Sequence, residues 1–139
     1  YFQTKYQKPG GIDNIIILRL AELYLNRAEA KANSENLIGA VEDLNIIRNR
    51  AGLESLSSQG LSQEEILEHI ADERKLEFAF EGHRYFDLMR TGEIMDVLQN
   101  IERYNGPPVS LPTIERAVFP IPNFEIDANP NLTQNEAYR

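Results

Sequence analysis

The sequence contains no cysteine. That single absence excludes a disulfide framework, a thiolate zinc site and a cysteine nucleophile. Long apolar runs are also missing. The longest, Ile15 to Leu18, is closed by Arg19, whereas a membrane-spanning helix takes about twenty such residues. Positive charge is scarce, with 14 Lys and Arg against 22 Asp and Glu and a net charge of −8. This balance repels phosphate backbones and anionic headgroups, which weighs against nucleic-acid and polybasic membrane binding. No serine sits in a Gly-x-Ser-x-Gly elbow and no glycine-rich phosphate loop is present, so acyl and phosphoryl transfer lack their usual machinery. A starting methionine and a leader pattern are both lacking, and the chain reads as a piece of a longer protein.

What is present is a chain of 139 residues, 42% apolar and 26% charged. That is enough to bury a core, and one globular unit is expected. Residues 1–11 are polar and end in Pro9-Gly10-Gly11, a flexible leading segment, and residues 12–139 form the helical domain. Asp13 or Asn14 is expected to cap a first helix running to Ala32, with Leu18, Ala21, Leu25, Ala28 and Ala32 on its apolar face. A second helix, Glu35 to Ala51, carries Leu37, Ala40, Val41, Leu44 and Ile47 inward and stops at Gly52. Ser62 followed by Glu65 is a capping box opening a third helix to Phe80, with Ile66, Ile70, Leu76 or Ala71, and Phe78 facing in. Gly82 interrupts it, and Arg84 to Arg90 resumes as a short helix. Glu93 to Arg103 adds a turn or two more. Asn105-Gly106-Pro107-Pro108 ends regular structure. The remaining proline-rich tail is expected to be irregular, with Ala117-Val118-Phe119 extended and Phe119, Ile121 and Ile126 buried.

The first two helices match one tetratricopeptide-like unit in spacing, through Tyr24, Ala28, Ala40, Leu44 and Ile47. An ordinary antiparallel helix pair explains the same spacing. A single such unit cannot bury both of its faces, so further repeats outside the chain, or its own third helix and tail, must cover the open side.

The most distinctive stretch runs from Glu73 to Arg90. Glu73, Glu77 and Glu81 recur at i, i+4, i+8, and like charges so stacked cost a few tenths of a kcal/mol per pair unless cations intervene. Arg74, Arg84 and Arg90 lie among them, interleaved with Phe78, Phe80, Tyr85 and Phe86. Paired carboxylates for glycoside hydrolysis are one reading. A structural ion-pair network holding a helix-glycine-helix bend is the preferred one, because surrounding arginines depress the pKa that a catalytic acid needs raised. That network comprises Arg19, Glu22, Glu73, Arg74, Glu77, Glu81, Arg84, Asp87 and Arg90. His69 and Glu73 at i, i+4, with His83 fourteen residues further on, lack the zincin spacing, so no metal, cofactor or catalytic residue is assigned. Tyr104, beside the Gly106-Pro107-Pro108 turn, is a candidate for stacking on a sugar ring.

Four segments carry a family resemblance. Ile17 to Ala30 resembles the opening helix of the C-terminal SusD/RagB domain, and Leu44 to Leu53 the end of its second helix. Glu73 to Arg90 is similar to the family's signature. Val118-Phe119-Pro120-Ile121-Pro122, Glu125-Ile126, Asn129 to Leu132 and Gln134-Asn135 resemble its ending. The resemblance implies an all-α fold with tetratricopeptide-like pairs, and binding rather than cleavage. It further implies a lipid-tethered protein of the outer membrane that captures oligosaccharides or peptides with a SusC-like TonB-dependent transporter. The lipidated cysteine is not among these residues, and the family's ligand contacts lie largely in inserted loops, so no ligand residue is carried over. A generic helical-repeat interaction module and a helical carbohydrate-active enzyme are the rival readings.

Overall fold

The computed structural model describes residues 5, 6, 8, 10, 12–99, 101–103, 105–109 and 113–139. Among them are six α-helices, two short 3-10 turns and no strand, only an isolated bridge between Arg103 and Gly106. The contacts divide the chain into two compact units, Tyr1–Arg84 and Tyr85–Arg139.

In the first unit, α1 (Leu20–Asn33) and α2 (Leu37–Arg50) form a helical hairpin. Its turn is built at Glu35, whose φ of 62° lies in the left-handed region. The Asn36 side chain then caps α2 by accepting the Gly39 N–H at 3.1 Å. Gly39 has to be small here, because a Cβ would stand 2.8 Å from the Asn36 amide nitrogen. The third helix, α3 (Gln63–Glu77), opens with the expected capping box: Ser62 Oγ accepts the Glu65 N–H at 3.2 Å, and the Glu65 carboxylate accepts the Ser62 N–H at 2.7 Å. The loop between α2 and α3 is pinned by Asn45, which donates to the Leu56 carbonyl at 2.9 Å and accepts the Leu56 N–H at 2.8 Å.

The core follows the apolar stripes. Ala21, Leu25, Ala28 and Ala32 meet Ala40, Val41, Leu44 and Ile47, and Ile66, Ile70 and Phe78 close over them, with Tyr24 and Leu37 at the margin. The alanines let the helices approach closely while the leucines and isoleucines fill the groove beside them, each contributing about 1.5–3 kcal/mol by leaving water. Of the two residues offered for one position on α3, Ala71 is half-buried and Leu76 exposed.

In the first unit two helix boundaries depart by three residues or more from the sequence reading, while α2 is Leu37–Arg50 against an expected Glu35 to Ala51. The first helix begins at Leu20, not at Asp13 or Asn14, and Leu18 is 63% exposed rather than inward. Ile15, Ile16 and Ile17 are β-branched and stiff at χ1, which disfavours helix, and the Asp13 carboxylate is taken by the Lys8 N–H at 2.7 Å. The third helix ends at Glu77, three residues before Phe80. Its final carbonyl and one just beyond it are claimed by cations: Glu77 O accepts from Arg19 Nη2 at 2.6 Å and Lys5 Nζ at 3.1 Å, and Ala79 O from Lys5 Nζ at 3.0 Å. Phe80 and Gly82, at φ 65° and 85°, then turn the chain. Gly82 adopts this conformation freely, whereas Phe80 bears a cost of about 1–2 kcal/mol.

The second unit holds most of α4 (His83–Thr91), then α5 (Ile94–Leu98) and α6 (Asn123–Ala128), with 3-10 turns at Ile114–Ala117 and Glu136–Tyr138. Leu88, Ile94 and Ala117 form its small core with Tyr85, Met89, Met95 and Leu98 against them. Helix α5 stops well short of Arg103, because Gln99 is extended and the chain turns back, with the Val109 N–H donating to the Ile101 carbonyl at 2.7 Å. Ala117 closes a 3-10 turn rather than lying extended, while Val118 after it is extended. Phe119 is 65% exposed instead of buried, with its ring stacked on Tyr85 at 5.2 Å. Ile121 and Ile126 are half-buried.

Candidate functional site

Of the charged side chains singled out in the sequence, Arg19, Glu77 and Glu81 come together. Arg19, at the foot of α1, reaches the end of α3 and the bend that follows it. Its Nε donates to Glu81 Oε2 at 2.8 Å, its Nη1 to the Glu77 carboxylate and its Nη2 to the Glu77 carbonyl. Arg50 at the end of α2 binds the other oxygen of Glu77, and Lys5 the other side of Glu81. Glu77, the last residue of α3, is thus tied to the foot of α1 and the end of α2, and the Glu81 side chain in the bend is 1% exposed. Glu73, one turn earlier and buried, takes Arg48 of α2 at 3.3 Å.

Apart from Arg84, the other members of the expected network have described partners within their own units. Arg74 is buried and donates to Asn26 of α1. Glu22 lies 3.9 Å from His83 Nδ1. Asp87 and Arg90 pair within α4 at 3.0 Å, in the second unit. Arg84 is half-buried and makes no ion pair to a described residue of its own unit. Glu73 takes Arg48 from the neighbouring α2, in keeping with the rule that i, i+1 side chains on a helix do not face one another.

The largest omission of the sequence reading is Asp43. It is buried on α2, receives Arg27 Nε and Nη2 at 2.7 Å each, and lies 2.8 Å from Lys31 Nζ. The available signal was Arg27 and Lys31 at i, i+4 on α1, two cations on one face that call for an anion opposite. Arg48, Arg50 and Lys5 were missed for a different reason. Their partners are 25, 27 and 76 residues away in sequence.

The electrostatics favour ties over proton transfer. Burial alone would push the Glu77 and Glu81 carboxyls up, but hydrogen bonds from Arg50 and Arg19 to Glu77, and from Arg19 and Lys5 to Glu81, more than reverse it and hold both below the ordinary carboxylate range. Asp43 is held low by its hydrogen bonds from Arg27 and Lys31, against the push of burial. A proton donor for glycoside hydrolysis needs the opposite shift. Phe78 completes the cluster: the Arg19 and Arg74 guanidinium carbons lie 4.7 and 5.2 Å from its ring centroid, and the His83 ring 4.6 Å away. Among the described residues no group of three His, Asp or Glu gathers as metal donors would. Tyr104 lies outside the described residues.

In the second unit the tail is latched by side-chain amides. Gln134 accepts the Ile121 N–H at 2.9 Å and donates to the Ile121 carbonyl at 2.8 Å, and Asn135 donates to the Phe119 carbonyl at 2.8 Å. Tyr85 donates to the Ala117 carbonyl, and Arg116 stacks over Tyr138 with its guanidinium carbon 4.4 Å from the ring centroid.

Comparison with known proteins gives a consistent set of relatives. The model of the SusD family matches residues 2–138. A SusD-like protein of Formosa agariphila is 36% identical over 127 residues, covering 90% of this chain and 24% of that protein. The starch-binding protein SusD of Bacteroides thetaiotaomicron is 32% identical over 128 residues, covering 91% of this chain and 22% of its own length. In structure, surface glycan-binding protein A from Bacteroides uniformis superposes with a TM-score of 0.75 at 33% identity, over 91% of this chain and 28% of that one. The chain therefore spans about a quarter of the length of these relatives.

Proposed function

Because the chain belongs to the SusD family, we propose that it is a helical scaffold portion of a glycan-binding protein that acts in nutrient import at the bacterial outer membrane. The observation that carries this reading is likeness over about nine tenths of the chain, in sequence to a starch-binding protein and in structure to a surface glycan-binding protein. The work of the whole protein is to bind an oligosaccharide and pass it to a SusC-like TonB-dependent transporter. It holds its ligand without cleaving it, in keeping with carboxylates committed to guanidinium and ammonium partners. Attachment to the membrane is by an N-terminal lipid anchor. No helix among the described residues is long and apolar enough to cross a bilayer.

The scaffold role rests on where the charge goes. Glu73, Glu77, Glu81 and Asp43 are all spent on holding helices together, which leaves ligand contacts to other parts of the protein. Calorimetry of the full-length protein against starch and other oligosaccharides, together with co-purification of a SusC-like transporter, tests the proposal. Binding to glycan and recovery of the transporter are expected; failure of both overturns it.

A further inference from the structure

Helix α3 runs for 15 residues and stops at Glu77, and a helix end leaves its last carbonyls without partners inside the helix. Here three acceptors gather on one atom. Lys5 Nζ donates to the Glu77 carbonyl at 3.1 Å, to the Ala79 carbonyl at 3.0 Å and to the Glu81 carboxylate. An ammonium group has three protons to donate, so these partners match it proton for proton. Lys5 lies 72 to 76 residues from the groups it serves, so nothing local places it there.

The chain is bent where the acceptors converge. Phe80 sits at φ 65° and Gly82 at φ 85°, and a side chain is held in the left-handed region only where its surroundings fix it. The Glu81 side chain is 1% exposed, and the carbonyl end of a helix is its negative pole, which favours a cation. Arg19 does not fill the same place. Its Nε and Nη2 are on Glu81, its Nη1 is on the Glu77 carboxylate and its Nη2 also reaches the Glu77 carbonyl. A planar guanidinium spreads its donors in a fork, whereas an ammonium presents three from one point.

We propose that the end of α3 and the bend after it form a binding site for a primary ammonium group, which the chain fills with its own Lys5. The segment carrying Lys5 is thereby a strap fastened by one polar plug, and a free primary amine is the class of ligand that fits the socket once the plug is withdrawn. The inference stands independently of the glycan reading.

Lys5→Ala in the full-length polypeptide empties the socket and leaves Arg19 on Glu77 and Glu81. Hydrogen exchange reads the result at the amides of Phe78 and Glu81, which donate to the Arg74 carbonyl at 3.0 Å and the Phe78 carbonyl at 2.9 Å. Both should exchange roughly tenfold faster in the variant, the scale of one hydrogen bond to a charged group. Excess methylammonium chloride should restore the wild-type rates. Sodium chloride and tetramethylammonium chloride at equal ionic strength should not, because they screen alike but donate no hydrogen bond. Unchanged exchange in the variant, no restoration by methylammonium, or equal restoration by all three salts overturns the proposal. Acylation of the wild type gives an answer whether or not the variant folds. With its protons engaged, the Lys5 amine should react roughly tenfold more slowly with an N-hydroxysuccinimide ester than that of Lys8, whose side chain is 65% exposed. Equal rates by peptide mass spectrometry overturn the proposal as well.

Discussion

Replacing Arg19 by methionine keeps the aliphatic bulk over Phe78 and removes the charge that joins α1 to the bend. The carboxylate of Glu81, with its side chain 1% exposed, would be left with Lys5, and that of Glu77 with Arg50. Removing one partner of a buried pair typically costs about 3–5 kcal/mol. Arg19 is itself 22% exposed and both acids keep a second cation, so a loss of about 2–3 kcal/mol is expected. Urea unfolding at pH 7 should show it as a lower midpoint at unchanged slope. Lys75→Ala, which removes the exposed Lys75 to Asp72 pair, should cost no more than roughly 0.5 kcal/mol. The pH dependence has a fixed sign. Both carboxyls are held below their unfolded value of about 4.3, so the stabilisation is complete above that pH and is lost as pH falls through the folded values. The gap between wild type and variant should accordingly narrow as the pH is taken below the unfolded value of about 4.3. A variant within roughly 0.5 kcal/mol of wild type at pH 7, or a gap that persists undiminished in acid, would refute the argument.

Asp43→Asn keeps the shape but not the charge between Arg27 and Lys31, and should cost about 1.5–3 kcal/mol by thermal or urea unfolding, the range for hydrogen bonds to charged groups. Ser62→Ala removes one half of the capping box and should cost about 1 kcal/mol. Gln134→Ala frees both backbone groups of Ile121, so exchange of the Ile121 amide should quicken while unfolding of the first unit is unchanged.

Local rules read the hairpin well. Ala21, Leu25, Ala28, Ala32, Ala40, Val41, Leu44 and Ile47 follow from helical period alone, and the Ser62 cap from a four-residue pattern. The late start of α1 has local causes in Ile15, Ile16, Ile17 and the bond from Lys8 to Asp13. The end of α3 was decided by distant groups, since nothing near Glu77 announces that its carbonyl will be given to Arg19 and Lys5. Phe119 departs as well. A hydrophobic side chain in a proline-rich tail reads as buried, yet Phe119 is 65% exposed while stacking on Tyr85. The acidic run was recognised with Arg19 among its cations, but Arg48, Arg50 and Lys5 were not named, because helix geometry directs such partners to side chains distant in sequence. Asp43 escaped notice because an isolated aspartate in an apolar stripe carries no pattern of its own.

The reach of Arg19 also orders the events of folding. Arg27 and Asp43 close a loop of 16 residues, Arg19 and Glu81 one of 62. By chain statistics the longer closure costs about 1 kcal/mol more in entropy. The paired helices can therefore assemble locally while the arginine at their foot waits for the acids to arrive, and the first turn of α1 becomes the last part of that helix to be fixed.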